Sequence, residues 1–310
     1  MSLVDRALVR MLPAVPRPVV KRLSDRYIAG ETLEEACRVV EELNERGRMA
    51  TIDVLGEEIT TPEEALALEE EYVRVFDTIR ERGLDSNVSV KPTGLGLKLD
   101  LQLCADHLAA IVGCAGRFDS FVRIDMEDAS TTTDTLDVYR GLRDDGLDRV
   151  GVVLQARLRR TVDDVAALAP LRPNVRLCKG IYLEPPDIAF QEFDEIRAAY
   201  VRALEALFDA GAYVAVATHD DWLVERALEQ IEARGLGPDE YEFQMLLGVR
   251  EVLGDRLVRA GHRLRIYVPY GRRWYEYSMR RLQENPKIAT YVALDTVGRL
   301  IPSGAKQVPA

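Results

Sequence analysis

No C-x-x-C pair, signal peptide or long apolar run occurs in this chain of 310 residues. Its four cysteines, Cys37, Cys104, Cys114 and Cys178, give no secreted-type disulfide framework, so a reducing, cytoplasmic setting is expected. Histidine is scarce as well. His107, His219 and His262 stand far apart and outside any ligand-type repeat, which argues against a metal centre. Cys104 and His107 share a helical face, where a half-buried pair is expected rather than zinc. A dinucleotide fingerprint is also missing, because GLGLK at Gly94 lacks the third glycine; Gly94 and Gly96 read as loop hinges. Acidic residues outnumber basic ones, and the net charge of −11 argues against a nucleic-acid partner.

What is present is the composition of a folding, globular chain, 47% apolar and 30% charged. Eight short apolar or β-branched runs follow one another at intervals of roughly 20 to 40 residues, each with a helix-like segment behind it. They are MATIDVL from Met49, NVSV from Asn87, FVRID from Phe121, VGVVLQ from Val150, VRLCK from Val175, YVAVAT from Tyr213, YEFQML from Tyr241 and LRIYV from Leu264. Repeated βα units of this kind predict an α/β fold, a (β/α)8 TIM-type barrel. Helix start and stop signals agree: TPEEALALEEEYVRVFDTIRERG opens on Thr61-Pro62 and closes on Arg82-Gly83, while TTTDTLDVYRGLRDDG and PDIAFQEFDEIRAAYVRALEALFDAG read as further helices.

No composition break or Ser/Gly linker divides the repeats. The expected organisation is an N-terminal helical arm over residues 1–44, with TLEEACRVVEELNERG as one clear helix, followed by the barrel over residues 45–310 and its short tail, IPSGAKQVPA. The amphipathic, mildly basic stretch LVDRALVRMLPAVPRPVVKRL is broken by Pro13, Pro16 and Pro18 and reads as a lead-in segment. It is the one candidate for membrane contact.

Barrel enzymes assemble their sites at the C-terminal ends of the strands, and nearly every predicted strand here ends in polar residues. In order these are Lys91, Asp125 with Glu127, Gln155 with Arg157, Arg176 with Lys179, Thr218-His219-Asp220, Gln244 and Tyr267. Any one of them is as readily a strand end meeting solvent; the series calls for an anionic or polar guest. After the eighth strand, Tyr277, Arg280, Arg281 and Glu284 share one face of a short helix. By itself such a stripe is either a solvated surface or, over a pocket, a carboxylate clamp.

The segments SVKPTGLG, RIDMED, LQARL, RLCKGIY, ATHD, EFQMLLG and YVPYG with its following YxxxRRLxEN helix occur in an order that resembles the proline dehydrogenase family, FAD-dependent barrel enzymes that begin proline catabolism. The resemblance implies that Lys91, Arg280 and Arg281 bind the substrate carboxylate, with Tyr267, Tyr277 and Leu246 around its ring. It makes Asp125 and Arg176 the active-site pair, with Arg176 near the flavin. For FAD it implies Met126, Gln155, Arg176, Lys179, Gly180, Ile181, Thr218 and His219, with Glu284 supporting the clamp helix, and it makes Glu57 an acidic gate residue paired with Arg280. Two positions depart from the family: Ile181 stands where a smaller residue is usual, and Leu183 where some relatives carry an aromatic. The loop after Tyr267 is compact and carries Arg272, Arg273 and Trp274.

The implied reaction is oxidation of L-proline to Δ1-pyrroline-5-carboxylate by hydride transfer to FAD. A monofunctional enzyme is expected, with a pyrroline-5-carboxylate dehydrogenase downstream. Electrons passing to a membrane quinone imply weak peripheral contact with the inner membrane face. The same residues admit a flavin barrel for a larger substrate such as a folate, a metal-free aldolase or phosphate-binding barrel with Lys91 or Lys179 as Schiff base, or an amino-acid sensor without a redox cofactor. A compact Arg-Arg clamp favours a small carboxylate over the first, and a colourless protein trapped by borohydride with a carbonyl substrate would indicate the aldolase.

Overall fold

The computed structural model describes residues 26–57, 59–275 and 277–279, with Val20, Lys21 and Ser24. Thr32 and Glu35 cap the first helix reciprocally, Glu35 N donating to Thr32 Oγ1 at 3.3 Å and Thr32 N to the Glu35 carboxylate at 3.0 Å. This helix, α1 (Leu33–Glu45), buries Ala36, Cys37, Val40 and Leu43 along one stripe. Strands and helices then alternate: β1 (Met49–Val54), α2 (Pro62–Arg82), β2 (Ser86–Val90), α3 (Leu101–Arg117), β3 (Val122–Ile124), α4 (Thr132–Asp144), β4 (Val150–Gln155), α5 (Thr161–Leu168), β5 (Asn174–Cys178), α6 (Phe193–Asp209), β6 (Tyr213–Ala217), α7 (Asp221–Arg234), β7 (Tyr241–Leu246), α8 (Glu251–Arg259) and β8 (Leu264–Tyr270). All the strands are parallel and consecutive neighbours pair. β8 returns to β1, with Ile52 opposite Val268, and closes the barrel.

Every predicted strand is present. One helix differs from the sequence reading, because α6 begins at Phe193 rather than near Pro186. The backbone before it bonds across to the loop after β4 instead: Arg159 N donates to Ile188 O at 2.9 Å and Phe190 N to Arg157 O at 2.8 Å. The place of α1 is also informative. It packs on β8 and β1, the seam that a helix following β8 covers in a regular barrel, and its buried residues belong to the same core as the strands.

Along each strand, residues alternate between the helices and the barrel interior. Outward positions are apolar, as in Val122 and Ile124, Val150 and Val152, Val175 and Leu177, and all belong to one buried cluster. Inward positions are unlike the branched apolar layers common in such barrels. Arg123 reaches Asn174 O at 2.7 Å and Val152 O at 3.0 Å, and Arg265 holds Glu242 through Nε at 3.0 and 3.1 Å while donating to Ala50 O at 2.7 Å. Burial works against the Glu242 carboxylate, but the charge and hydrogen bonds of Arg265 and the Gln244 amide keep it below its ordinary range.

Gly151 makes room for this charged layer. A Cβ there would stand 2.5 Å from an Arg123 guanidinium nitrogen and 2.5 Å from Asn174 O. Gly151→Ala is therefore expected to cost about 1 to 3 kcal/mol of stability, typical of overpacking a core. A thermal melt should show a Tm lower by several degrees; an unchanged Tm would mean that the Arg123 layer shifts freely.

Candidate active site

Above the Arg123–Glu242–Arg265 layer, the next inward residues come from different strands and meet across the barrel. Asp125, just past β3, accepts from Arg176 on Oδ1 at 2.5 Å, from Ser89 Oγ at 3.0 Å and from the Tyr267 hydroxyl on Oδ2 at 3.0 Å. Arg176 also donates to Ser89 Oγ at 3.0 Å and to Gln244 Oε1 at 2.5 Å, and its guanidinium lies 5.4 Å from the Tyr267 ring centre. Lys91 follows β2. Its ammonium is 2.7 Å from each oxygen of Asp53, 3.2 Å from the Tyr267 hydroxyl and 4.0 Å from Asp125 Oδ2.

Asp53 is wholly enclosed. Burial pushes its carboxyl above the ordinary range, against the pull of Lys91. Burial also opposes the Lys91 ammonium, but Asp53, Glu57 and Asp125 outweigh it and keep the lysine protonated. The Tyr267 phenol is pushed up by burial and by the Asp125 and Asp53 carboxylates, so it stays a neutral donor.

A second group lies at the ends of β4, β5 and β6. Gln155 donates to Glu127 O at 2.6 Å, and the Glu127 carboxylate accepts from Thr93 N at 2.9 Å and Thr93 Oγ1 at 2.6 Å. Gly180 has φ of +93°, and a Cβ there would stand 2.7 Å from Gln155 Oε1, so the backbone passes directly over that amide. Lys179 bonds Asp220 at 2.6 Å. The same carboxylate holds Arg197 at 2.7 and 2.9 Å and caps α7 by accepting from Trp222 N at 3.2 Å. Thr218 Oγ1 accepts from Asp220 N at 3.2 Å. His219 Nε2 accepts from Leu246 N at 2.9 Å, which leaves the ring proton on Nδ1. Met126 is buried in the core, whereas Ile181 and Leu183 are 40% and 87% exposed.

The third group lies beside the ends of β1 and β8. Tyr277 is buried with Ile28 and Leu55, flanked by Tyr27 and Trp274. Ser24 Oγ donates to Ser278 Oγ at 2.6 Å, Ala29 N to Pro269 O at 2.9 Å and Gly271 N to Gly30 O at 3.0 Å, so the segment before α1 straps down the segment after β8. The backbone carbonyl of Glu57 accepts from Arg273 at 3.0 Å. Arg280, Arg281 and Glu284 lie outside the described residues, as do residues 1–19 and the tail.

The expected residues Lys91, Asp125, Arg176 and Tyr267 thus form one hydrogen-bonded unit, with Gln155, Lys179, Gly180, Thr218 and His219 along the neighbouring strand ends. Sequence reasoning assigned no role to Asp53, Ser89, Glu242 or Arg197. Asp53 and Ser89 carried a signal, a polar residue at an inward position of an otherwise apolar run, but their partners are on other strands.

Fold and site together define a barrel protein with paired cations and carboxylates gathered at the C-terminal mouth. The sequence profile of the Proline dehydrogenase family matches residues 36–293, a span that includes all the expected site residues. Proline dehydrogenase 1 of Bacillus subtilis subsp. natto is 38% identical over 86% of this chain and 88% of its own. Proline dehydrogenase of Deinococcus radiodurans is 34% identical over 91% of this chain and 95% of its own. In fold, the chain is similar to crystalline proline utilization A (PutA) from Bdellovibrio bacteriovorus inactivated by N-propargylglycine, with a TM-score of 0.81 at 23% identity; the match covers 90% of this chain and 36% of that larger one. The chain belongs to the proline dehydrogenase family.

Burial opposes the Asp220 carboxylate, yet hydrogen bonds from Arg197 and Lys179 bring it down from 3.8 to about 2. A depressed carboxyl stabilises the fold fully above its ordinary value and loses that contribution as the pH falls towards the folded value. The Tm difference between wild type and Asp220→Asn should therefore be constant above a pH of about 5 and narrow below it. A difference independent of pH would contradict the ion-pair assignment.

Proposed function

We propose that the protein oxidises L-proline to Δ1-pyrroline-5-carboxylate with FAD as hydride acceptor and a quinone as final acceptor, the first step of proline degradation to glutamate. The observation that carries this reading is the Lys91–Asp53 pair beside Tyr267 and the Asp125–Arg176 pair. Proline presents a carboxylate, a secondary amine and an apolar ring. A lysine kept protonated by its carboxylate neighbours suits the carboxylate, and Arg280 and Arg281, farther along the chain, would complete the clamp. Tyr267, Tyr277 and Leu246 would face the ring. Glu57 would gate the mouth by pairing with Arg280.

The residues at the β4–β6 ends fit a flavin nucleotide. Gly180 keeps a strip of backbone clear over Gln155, Ile181 exposes an apolar surface beside it, and Lys179 and the Nδ1–H of His219 are donors suited to a ring system and phosphates. Thr218 and the backbone around Met126 and Gly180 would complete that cradle, and Glu284 would support the clamp. FAD bound there would supply the two-electron acceptor for the hydride and the route of electrons to a quinone. The rest falls to the chain. The ring nitrogen must be neutral, so that its lone pair forms the C5=N bond as the C5 hydride leaves. Tyr267 stays protonated and orients the substrate, and the charge of Arg176 favours the electron-rich, reduced cofactor. Lys91, held protonated on Asp53, lacks the free amine that a Schiff base requires, which weighs against an aldolase.

No helix among the described residues is long and apolar enough to cross a membrane, so contact with a quinone pool would be peripheral, through the lead-in segment. Purified protein should show flavin absorption that L-proline bleaches without oxygen and that D-proline leaves intact. Arg281→Met should lower kcat/KM for proline by about a hundredfold, in the range for removing one partner of a buried charge pair. A yellow protein that proline cannot bleach would overturn the substrate, and a colourless one that cannot be reconstituted with FAD the cofactor.

A further inference from the structure

Inward positions of β7 stack Glu242 beneath Gln244, and the amide is bonded at both ends. Gln244 Oε1 accepts from Arg176 Nε at 2.5 Å, while Gln244 Nε2 donates to Glu242 Oε1 at 2.5 Å. Glu242 is in turn held by both of its contacts with Arg265 Nε. All four side chains are at least nine-tenths buried. A carboxylate below can only accept and a guanidinium above can only donate, so one amide orientation satisfies both and the flipped one satisfies neither.

The consequence falls on Arg176. Its three nitrogens are separately held, Nε by Gln244, one terminal nitrogen by Asp125 and the other by Ser89. Three fixed points define the plane of the guanidinium as well as its position, and the N–H bonds not used in these contacts keep one direction. We propose that Gln244 is a positioning residue for Arg176 and that the Glu242–Arg265 pair fixes the amide on which this depends. The proposal rests on the reading of the site as a proline-oxidising flavin site. It adds that the floor of the barrel sets the alignment of the cation at the mouth. Truncating Gln244 leaves Arg176 Nε buried without an acceptor and lets the guanidinium turn about its two remaining contacts.

The test compares wild type, Gln244→Met and Gln244→Glu. Methionine keeps the volume and removes both bonds. Glutamic acid, while it shares a proton with Glu242, can accept from Arg176 and donate to Glu242 as the amide does; when both carboxyls ionise it cannot. Gln244→Met should keep FAD content and hold KM for proline within about threefold, because the carboxylate clamp is elsewhere. Its kcat should fall at least tenfold, and the flavin midpoint potential should shift. Gln244→Glu should recover kcat at the acid end of its pH profile and lose it as the pH rises. Hydrogen exchange of the Arg176 Nε–H, followed by NMR without cofactor, should be slow in wild type and fast in Gln244→Met. Wild-type kcat, potential and exchange in Gln244→Met would overturn the proposal, as would a kcat loss that only tracks lost FAD or a Gln244→Glu profile parallel to wild type. Failure of the underlying reading is separate: wild type itself would be colourless or unbleached by proline.

Discussion

Closing eight strands around charged side chains withdraws them from bulk water, and the rest of this structure follows from that constraint. An unpaired ion in such a place costs several kcal/mol, so each must be met by an opposite charge or hydrogen bonds from the facing strands. The pairs found are Arg265 with Glu242, Arg176 with Asp125 and Lys91 with Asp53. Because each joins different strands, the barrel must close in one register to form them. The pairing that makes the interior tolerable also fixes the side chains at its mouth.

The layers divide the work. The lower one, with Arg123 made possible by Gly151, lies beneath the strand-end residues as a hydrogen-bonded floor. The upper one leaves Lys91 charged and Tyr267 neutral, the states in which an ammonium attracts a carboxylate and a phenol donates a hydrogen bond. On the wall, α1 takes the position beside β8 and β1, and the segment before it holds Tyr277 and Ser278 through Ile28 and Ser24. The helical arm is thus tied to the site through the segment it anchors.

The strands were legible because each is a short apolar run and nearly all end at polar residues, and parallel strands covered by helices leave that pattern in any sequence. Lys91, Asp125, Arg176 and Tyr267 were legible as strand-end residues, and their order with the neighbouring motifs gave the family. Pairing across the barrel was not legible. Asp53 sits in MATIDVL, Glu242 in YEFQML, and nothing local indicates that one meets Lys91 and the other Arg265 through Gln244. The late start of α6 was hidden for a similar reason: PDIAFQEF has helix-compatible residues, but its backbone bonds to the loop after β4. Arg280, Arg281 and Glu284 remain expectations from sequence, since they lie outside the described residues.

Buried pairing with Asp53, rather than an isolated residue, builds the cation that we propose meets the substrate carboxylate, Lys91. A double-mutant cycle on kcat/KM for proline with Lys91→Met and Asp53→Asn addresses it directly. If Asp53 acts by holding Lys91 charged and in place, each single variant should be severely impaired and the double variant no worse than Lys91→Met. Losses that multiply, with the double variant impaired by the product of the two single effects, would show that the residues act independently and contradict the account.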